Sequence, residues 1–80
     1  MKLYSISFKV EIGFEDIFEA IIENCFLDIL GYNVEYPAKE NYAIINIYNE
    51  TNEKLENNFN IIKDKLDINY NYEIKELDSE

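Results

Sequence analysis

Residues 40–48 read Glu40-Asn41-Tyr42-Ala43-Ile44-Ile45-Asn46-Ile47-Tyr48, and the way this stretch folds decides the rest of the chain. Tyr42 to Tyr48 is rich in β-branched and aromatic side chains, which favour a pleated, packed strand over a helix. Working backwards, Pro37-Ala38-Lys39-Glu40-Asn41 is a hairpin loop and Tyr32 to Tyr36 its partner strand. Working forwards, Asn49-Glu50-Thr51-Asn52 leads into Leu55, Phe59, Ile62 and Leu66 at helical spacing, with Thr51 or Asn52 as N-cap.

The ends of the chain complete the pattern. Lys2 to Val10 alternates, with Tyr4, Ile6, Phe8 and Val10 on one side and Leu3, Ser5, Ser7 and Lys9 on the other, as in a half-buried strand. From Gly13 to Leu30 the period lengthens: Phe14, Ile17, Phe18, Ile21, Cys25 and Ile29 predict a helix whose stop signal is Gly31. Ile68 to Ile74 alternates again, and the polar ending that follows, with residues 76–80 as its last part, reads as a frayed tail. The order is βαββαβ. Right-handed crossovers close it into a ferredoxin-like α+β domain over residues 1–80, a four-stranded antiparallel sheet with both helices on one face.

Composition bounds the function. Eighty residues make one small core, and 48% apolar content separates the chain from disordered sequences. Seventeen acids against seven lysines, with a net charge of −10, repel nucleic acid phosphates and anionic membranes and favour basic partners. No run reaches the length of a membrane span, no signal-peptide core opens the chain, and the single Cys25 fits a reducing compartment, so a cytoplasmic location is expected. The abundance of Asn matches A- and T-rich coding sequence and is set aside as compositional.

Catalytic signals are missing. Without His, the Ser-His-Asp and Cys-His nucleophile arrangements cannot be built, and no CxxC, HExxH, EF-hand or phosphate-cradling glycine motif occurs. Cys25 falls on the apolar stripe of the first helix, as a small hydrophobe does. The expectation is a protein that is not an enzyme and carries no cofactor or metal.

The informative asymmetry lies between Lys9 and Lys39, where Glu11, Glu15, Asp16, Glu19, Glu23, Asp28 and Glu35 occur with no base among them. At 100° per residue, Glu15, Asp16, Glu19 and Glu23 fall within about 100° of one another, opposite the Phe14/Ile17/Ile21/Cys25 stripe. They are expected to form a solvent-facing acidic ridge. First-turn acids also complement the helix dipole and a solvated acidic face aids solubility, so the spacing alone leaves both uses open. Phe26, Leu27 and Leu30, with Tyr32 and Tyr36, add apolar area that either the hairpin covers or an interface uses, a homodimer contact included.

Three resemblances bear on the partner. RNA-recognition domains share the element order, and Tyr42, Ala43, Ile45 and Ile47 resemble their third-strand motif as Leu3-Tyr4 resembles the first, which implies Tyr4 and Tyr42 as base-stacking platforms on the open face. Parity places Tyr4 with Ile6 and Phe8 instead, and Glu40 and Asn41 stand where that motif has a base and a glycine, so direct nucleic-acid binding is not expected. The whole chain resembles the N-terminal domain of the bacterial methyltransferase that modifies a ribosomal stalk protein, through the Lys2-to-Val10 strand, Leu30-Gly31-Tyr32-Asn33-Val34-Glu35 and Asn46-Ile47-Tyr48. That resemblance implies a stand-alone substrate-recognition module. In size and charge the chain is similar to acidic phage-encoded inhibitors of defence nucleases, CRISPR effectors among them, and a chain starting at Met1 without a catalytic domain fits that class better. The resulting expectation is an inhibitor acting in the host cytoplasm, whose first-helix acids cover a basic surface of a nucleic-acid-binding protein or nuclease complex.

Overall fold

A computed structural model describes residues 2–25, 28–66 and 70–77. Strand β1 (Leu3–Glu11) leads to helix α1 (Glu15–Asn24), the hairpin of β2 (Gly31–Glu35) and β3 (Tyr42–Asn49), helix α2 (Asn52–Leu66) and strand β4 (Tyr72–Leu77). The strands form one antiparallel sheet in the order β2-β3-β1-β4, which is the ferredoxin-like arrangement. No helix among the described residues is long and apolar enough to cross a membrane.

The core follows from strand parity. Ile6, Phe8 and Val10 of β1 lie opposite Ile47, Ile45 and Ala43 of β3, and all six are buried on the helix side. Tyr4 packs against the same cluster, as its parity requires. Phe8 sits at the centre, its ring 5.4 Å from Phe18 of α1, 5.1 Å from Phe59 of α2 and 6.3 Å from Tyr70. Leu55, Phe59 and Ile62 bury the apolar face of α2, and the Thr51 hydroxyl caps that helix by accepting from the Lys54 N–H at 3.1 Å.

Helix α1 differs from its sequence pattern in length and rotation. It ends at Asn24, whose side-chain amide donates back to the Ala20 carbonyl at 2.7 Å. Residues 28–30 then run outside any helix toward the sheet, where the Leu30 N–H donates to the Tyr48 carbonyl at 2.9 Å. Gly31 therefore opens β2 rather than stopping the helix. The apolar arc of α1 is wider than its footprint: Phe18 and Ile22 are buried, whereas Phe14 is 47% and Ile17 43% exposed. Among the apolar residues expected near the helix end, Leu30 is exposed and Tyr32 half-buried, while Phe26 and Leu27 lie outside the described residues.

At the other end, β4 extends further than the alternation from Ile68 suggested. Tyr4 pairs with Glu76 and Leu3 with Leu77, so Lys75 to Leu77 belong to the sheet and not to a tail. Ile68 and residues 78–80 lie outside the described residues.

A buried amide joins the second half of the fold to the first. Asn49, 1% exposed, donates to the Asp28 carbonyl at 2.5 Å and to Asn58 Oδ1 at 3.0 Å, and accepts from the Glu50 N–H. Replacing it by Ala leaves these three groups without their partner, and a stranded buried group costs about 1–3 kcal/mol. Asn49→Ala is therefore expected to lower the urea midpoint by a loss of that order at unchanged slope, while the exposed control Asn60→Ala leaves it in place.

Candidate functional site

The seven acids that the sequence singled out do not form one surface. Glu11 ends β1 on the same side as Lys9 and Ser7, and Glu35 ends β2 lining the open face of the sheet, away from the helices. Asp28 is exposed beside the start of α2, its carboxylate 3.6 Å from Lys54 Nζ, and Lys54 also pairs with Glu50. Only Glu15, Asp16, Glu19 and Glu23 share α1.

Within that group Glu15 departs from the expected ridge. It is 6% exposed, and its carboxylate accepts the Gly13 N–H at 2.6 Å. Gly13 has φ +104°, a left-handed conformation that suits glycine and turns its N–H into reach of the helix start. The carboxylate thus satisfies a backbone donor where Phe14, as N-cap, offers no side-chain acceptor. Its role in the structure is to hold the helix entrance.

Asp16 and Glu23 are exposed and Glu19 is half-buried. The Tyr32 hydroxyl of β2 donates to Glu23 Oε1 at 2.8 Å, which fixes one carboxylate and ties α1 to the sheet edge. That hydrogen bond, with partial burial and the charges of Glu23 and Glu19, pushes the Tyr32 phenol up to about 12. Tyr36 stands beyond it, 62% exposed, its phenol also raised, by loss of surrounding water and by the carboxylates of Glu15, Glu19 and Asp16. On the other flank of the helix are the exposed Phe14 and Ile17, with the exposed Ile12 just before them. The outer side of α1 therefore presents carboxylates and large apolar side chains together.

The open face carries a second arrangement, built from residues that the sequence reading set aside. Ser7 Oγ donates to Asn46 Oδ1 at 2.5 Å, Asn46 Nδ2 to Asn33 Oδ1 at 2.8 Å, and Asn33 Nδ2 to the Tyr48 hydroxyl at 3.0 Å. This relay crosses β1, β3 and β2, and its Ser7, Asn46 and Tyr48 line an open groove of about 760 Å³. The groove is rimmed by both signs of charge, Lys9 and Lys75 against Glu35 and Glu73. Tyr42 stays on this face, with Lys9 Nζ 4.7 Å from its ring centre. The sequence signal for the relay was Asn46 interrupting an apolar run at the parity of the polar β1 residues. No group of three or more His, Cys, Asp or Glu that could hold a metal occurs among the described residues.

No family model matches the chain, and no curated protein matches it. Among solved structures it is similar to the de novo designed protein Foldit4, with a TM-score of 0.55 and 17% identity over 99% of this chain and 98% of that one. The likeness shows the fold alone.

The Tyr32 pair yields a pH test. A raised pKa means that the folded state favours the neutral phenol, so its stabilising contribution is intact below pH 10 and is lost as pH rises through about 12. Phenolate absorbance should show a late-ionising tyrosine that disappears in Tyr32→Phe and moves down toward 10 in Glu23→Gln. An unchanged late ionisation in Glu23→Gln would show that the carboxylate is not its cause.

Proposed function

We propose that this protein acts by binding another protein through the outer side of α1, without catalysis of its own. The observation that carries this reading is that α1 exposes Phe14 and Ile17 on one flank and Asp16 and Glu23 on the other, with the exposed Tyr36 beside the carboxylates. Exposed large apolar residues beside like charges mark recognition surfaces, because the apolar groups supply desolvation while the charges select the partner.

The partner's chemistry follows from the sign. A surface of carboxylates with no base between Lys9 and Lys39 is drawn to a basic patch, and the chain's net charge of −10 speeds that encounter from a distance. Glu19 and Glu23 stand about 6 Å apart along the helix axis, at the 1.5 Å rise per residue. A row of carboxylates so spaced can occupy a basic groove that otherwise holds a phosphate backbone. The reading is accordingly an inhibitor-type module of the cytoplasm, covering the nucleic-acid-binding surface of a nuclease or related protein, of the anti-defence kind carried by phages. Glu15 is left out of the contact, since its carboxylate is engaged at Gly13, and Glu11, Glu35 and Asp28 lie elsewhere.

Capture of a partner from host lysate tests this at low salt and at about 0.5 M salt, where the Debye length falls to roughly 4 Å. A nucleic-acid-binding protein should be retained at low salt and released at high salt. The triple reversal Asp16→Lys, Glu19→Lys and Glu23→Lys should abolish that capture with the circular dichroism spectrum preserved, and Glu11→Lys with Glu35→Lys should not. Retention by the triple variant would overturn the α1 reading.

A further inference from the structure

We propose that the free edge of β4 pairs with β4 of a second copy, making an antiparallel two-fold dimer with one continuous eight-stranded sheet. This contact is separate from the α1 surface and does not depend on that reading.

Among the described residues β4 has a strand neighbour on one side only, β1. Its six residues pair with β1 in unbroken register, without bulge or proline, so the opposite side offers a straight row of backbone donors and acceptors. Proteins usually blunt such edges. The other edge is shorter, β2 having five residues, and Pro37 follows two positions after its end. Ile74 shows the same incompleteness in its side chain: it remains half-buried while its register partner Ile6 is fully buried.

The side chains of β4 are complementary to themselves. When Ile74 lies opposite Ile74 of the second copy, Glu73 faces that copy's Lys75 and Lys75 faces its Glu73, both on the open face. Tyr72 and Glu76 face each other on the helix side, where no like charges meet. Alternatives are penalised by charge. A two-residue slip one way places Lys75 opposite Lys75, and a slip the other way places Glu73 opposite Glu73; like charges directly opposite are destabilising. A slip by one residue puts side chains on the wrong face. Of the three symmetric registers centred on Glu73, Ile74 or Lys75, the one centred on Ile74 is therefore free of like-charge pairs.

Overall charge is compatible with this placement. The carboxylates of α1 lie beside β2, as the Tyr32–Glu23 hydrogen bond shows, and β2 is the edge farthest from β4 in the sheet. Among the described residues at the β4 edge, Lys75 is 3.9 Å from Glu73 and Lys2 is 3.3 Å from Glu76, so these four charges balance.

Sedimentation equilibrium across a concentration series tests the proposal. The weight-average mass should rise with concentration from 9.5 kDa toward twice that value. Glu73→Lys and Lys75→Glu should each hold it at the single-chain mass, and the double exchange should restore the rise. General repulsion predicts a different pattern, because Glu73→Lys lowers the net negative charge by two and would then favour dimers. Amide exchange supplies a measurement free of variants: protection of β4 amides should grow with protein concentration. A single-chain mass throughout, dimers of either single variant, failure of the folded double variant to recover, or concentration-independent β4 exchange would each overturn the pairing.

Discussion

The registered contact between β1 and β3 governs the rest of the structure. Ile6, Phe8 and Val10 meet Ile47, Ile45 and Ala43 on one side, and Ser7 meets Asn46 on the other. Side-chain period in a strand is two, so a one-residue slip of β1 would carry Lys9 and Ser7 into the core and turn Ile6, Phe8 and Val10 out of it. Two kinds of interaction hold the register: apolar burial beneath the helices and the Ser7–Asn46 hydrogen bond above. Once it is set, the apolar face must be covered from one side, and Phe8 provides the shared contact for Phe18 of α1 and Phe59 of α2.

Much of this was legible in the sequence because it depends on short-range periodicity. Alternation in β1 and β3, the Pro37 hairpin and the Leu55/Phe59/Ile62 spacing each identify an element and its inward face. The rotation of α1 was not legible, since Phe14, Ile17, Phe18, Ile21 and Ile22 form an apolar arc broader than a single contact line. Which part of such an arc is buried depends on tertiary demands, here the reach of Phe18 to Phe8 and of Glu15 to the Gly13 N–H. The asparagines were undervalued for a similar reason. Composition explains their number, but Asn46 and Asn49 occupy buried positions where the amide both donates and accepts, and the buried Asn58 accepts from Asn49.

The rotation of α1 also decides what the acids can do. Had the Phe14/Ile17 line faced the sheet, Glu15, Asp16, Glu19 and Glu23 would have formed a bare carboxylate ridge. Instead Glu15 turns inward and the exposed side gains Phe14 and Ile17. A bare ridge would offer mainly charge contacts, which are individually weak at an exposed surface and screened by salt. Adding apolar area lets a complex persist after electrostatic attraction has brought the partners together, since burial of that area is not screened. On the proposed binding reading, steering and retention would reside in different side chains of one helix.

Charge is distributed along the sheet order as well as between its faces. Acids of α1 flank β2, while Lys2 and Lys75 neutralise Glu76 and Glu73 beside β4. Of the two sheet edges, β4 is therefore the one at which a second chain carrying −10 would meet the least repulsion from the described residues. Because screened interactions weaken within a Debye length of about 10 Å at 0.1 M salt, the distant carboxylates contribute little there and the local Glu73–Lys75 pattern dominates. The acidic flank stays outward in such an assembly, so two α1 surfaces would be carried on opposite ends of one sheet and could engage two basic sites at once.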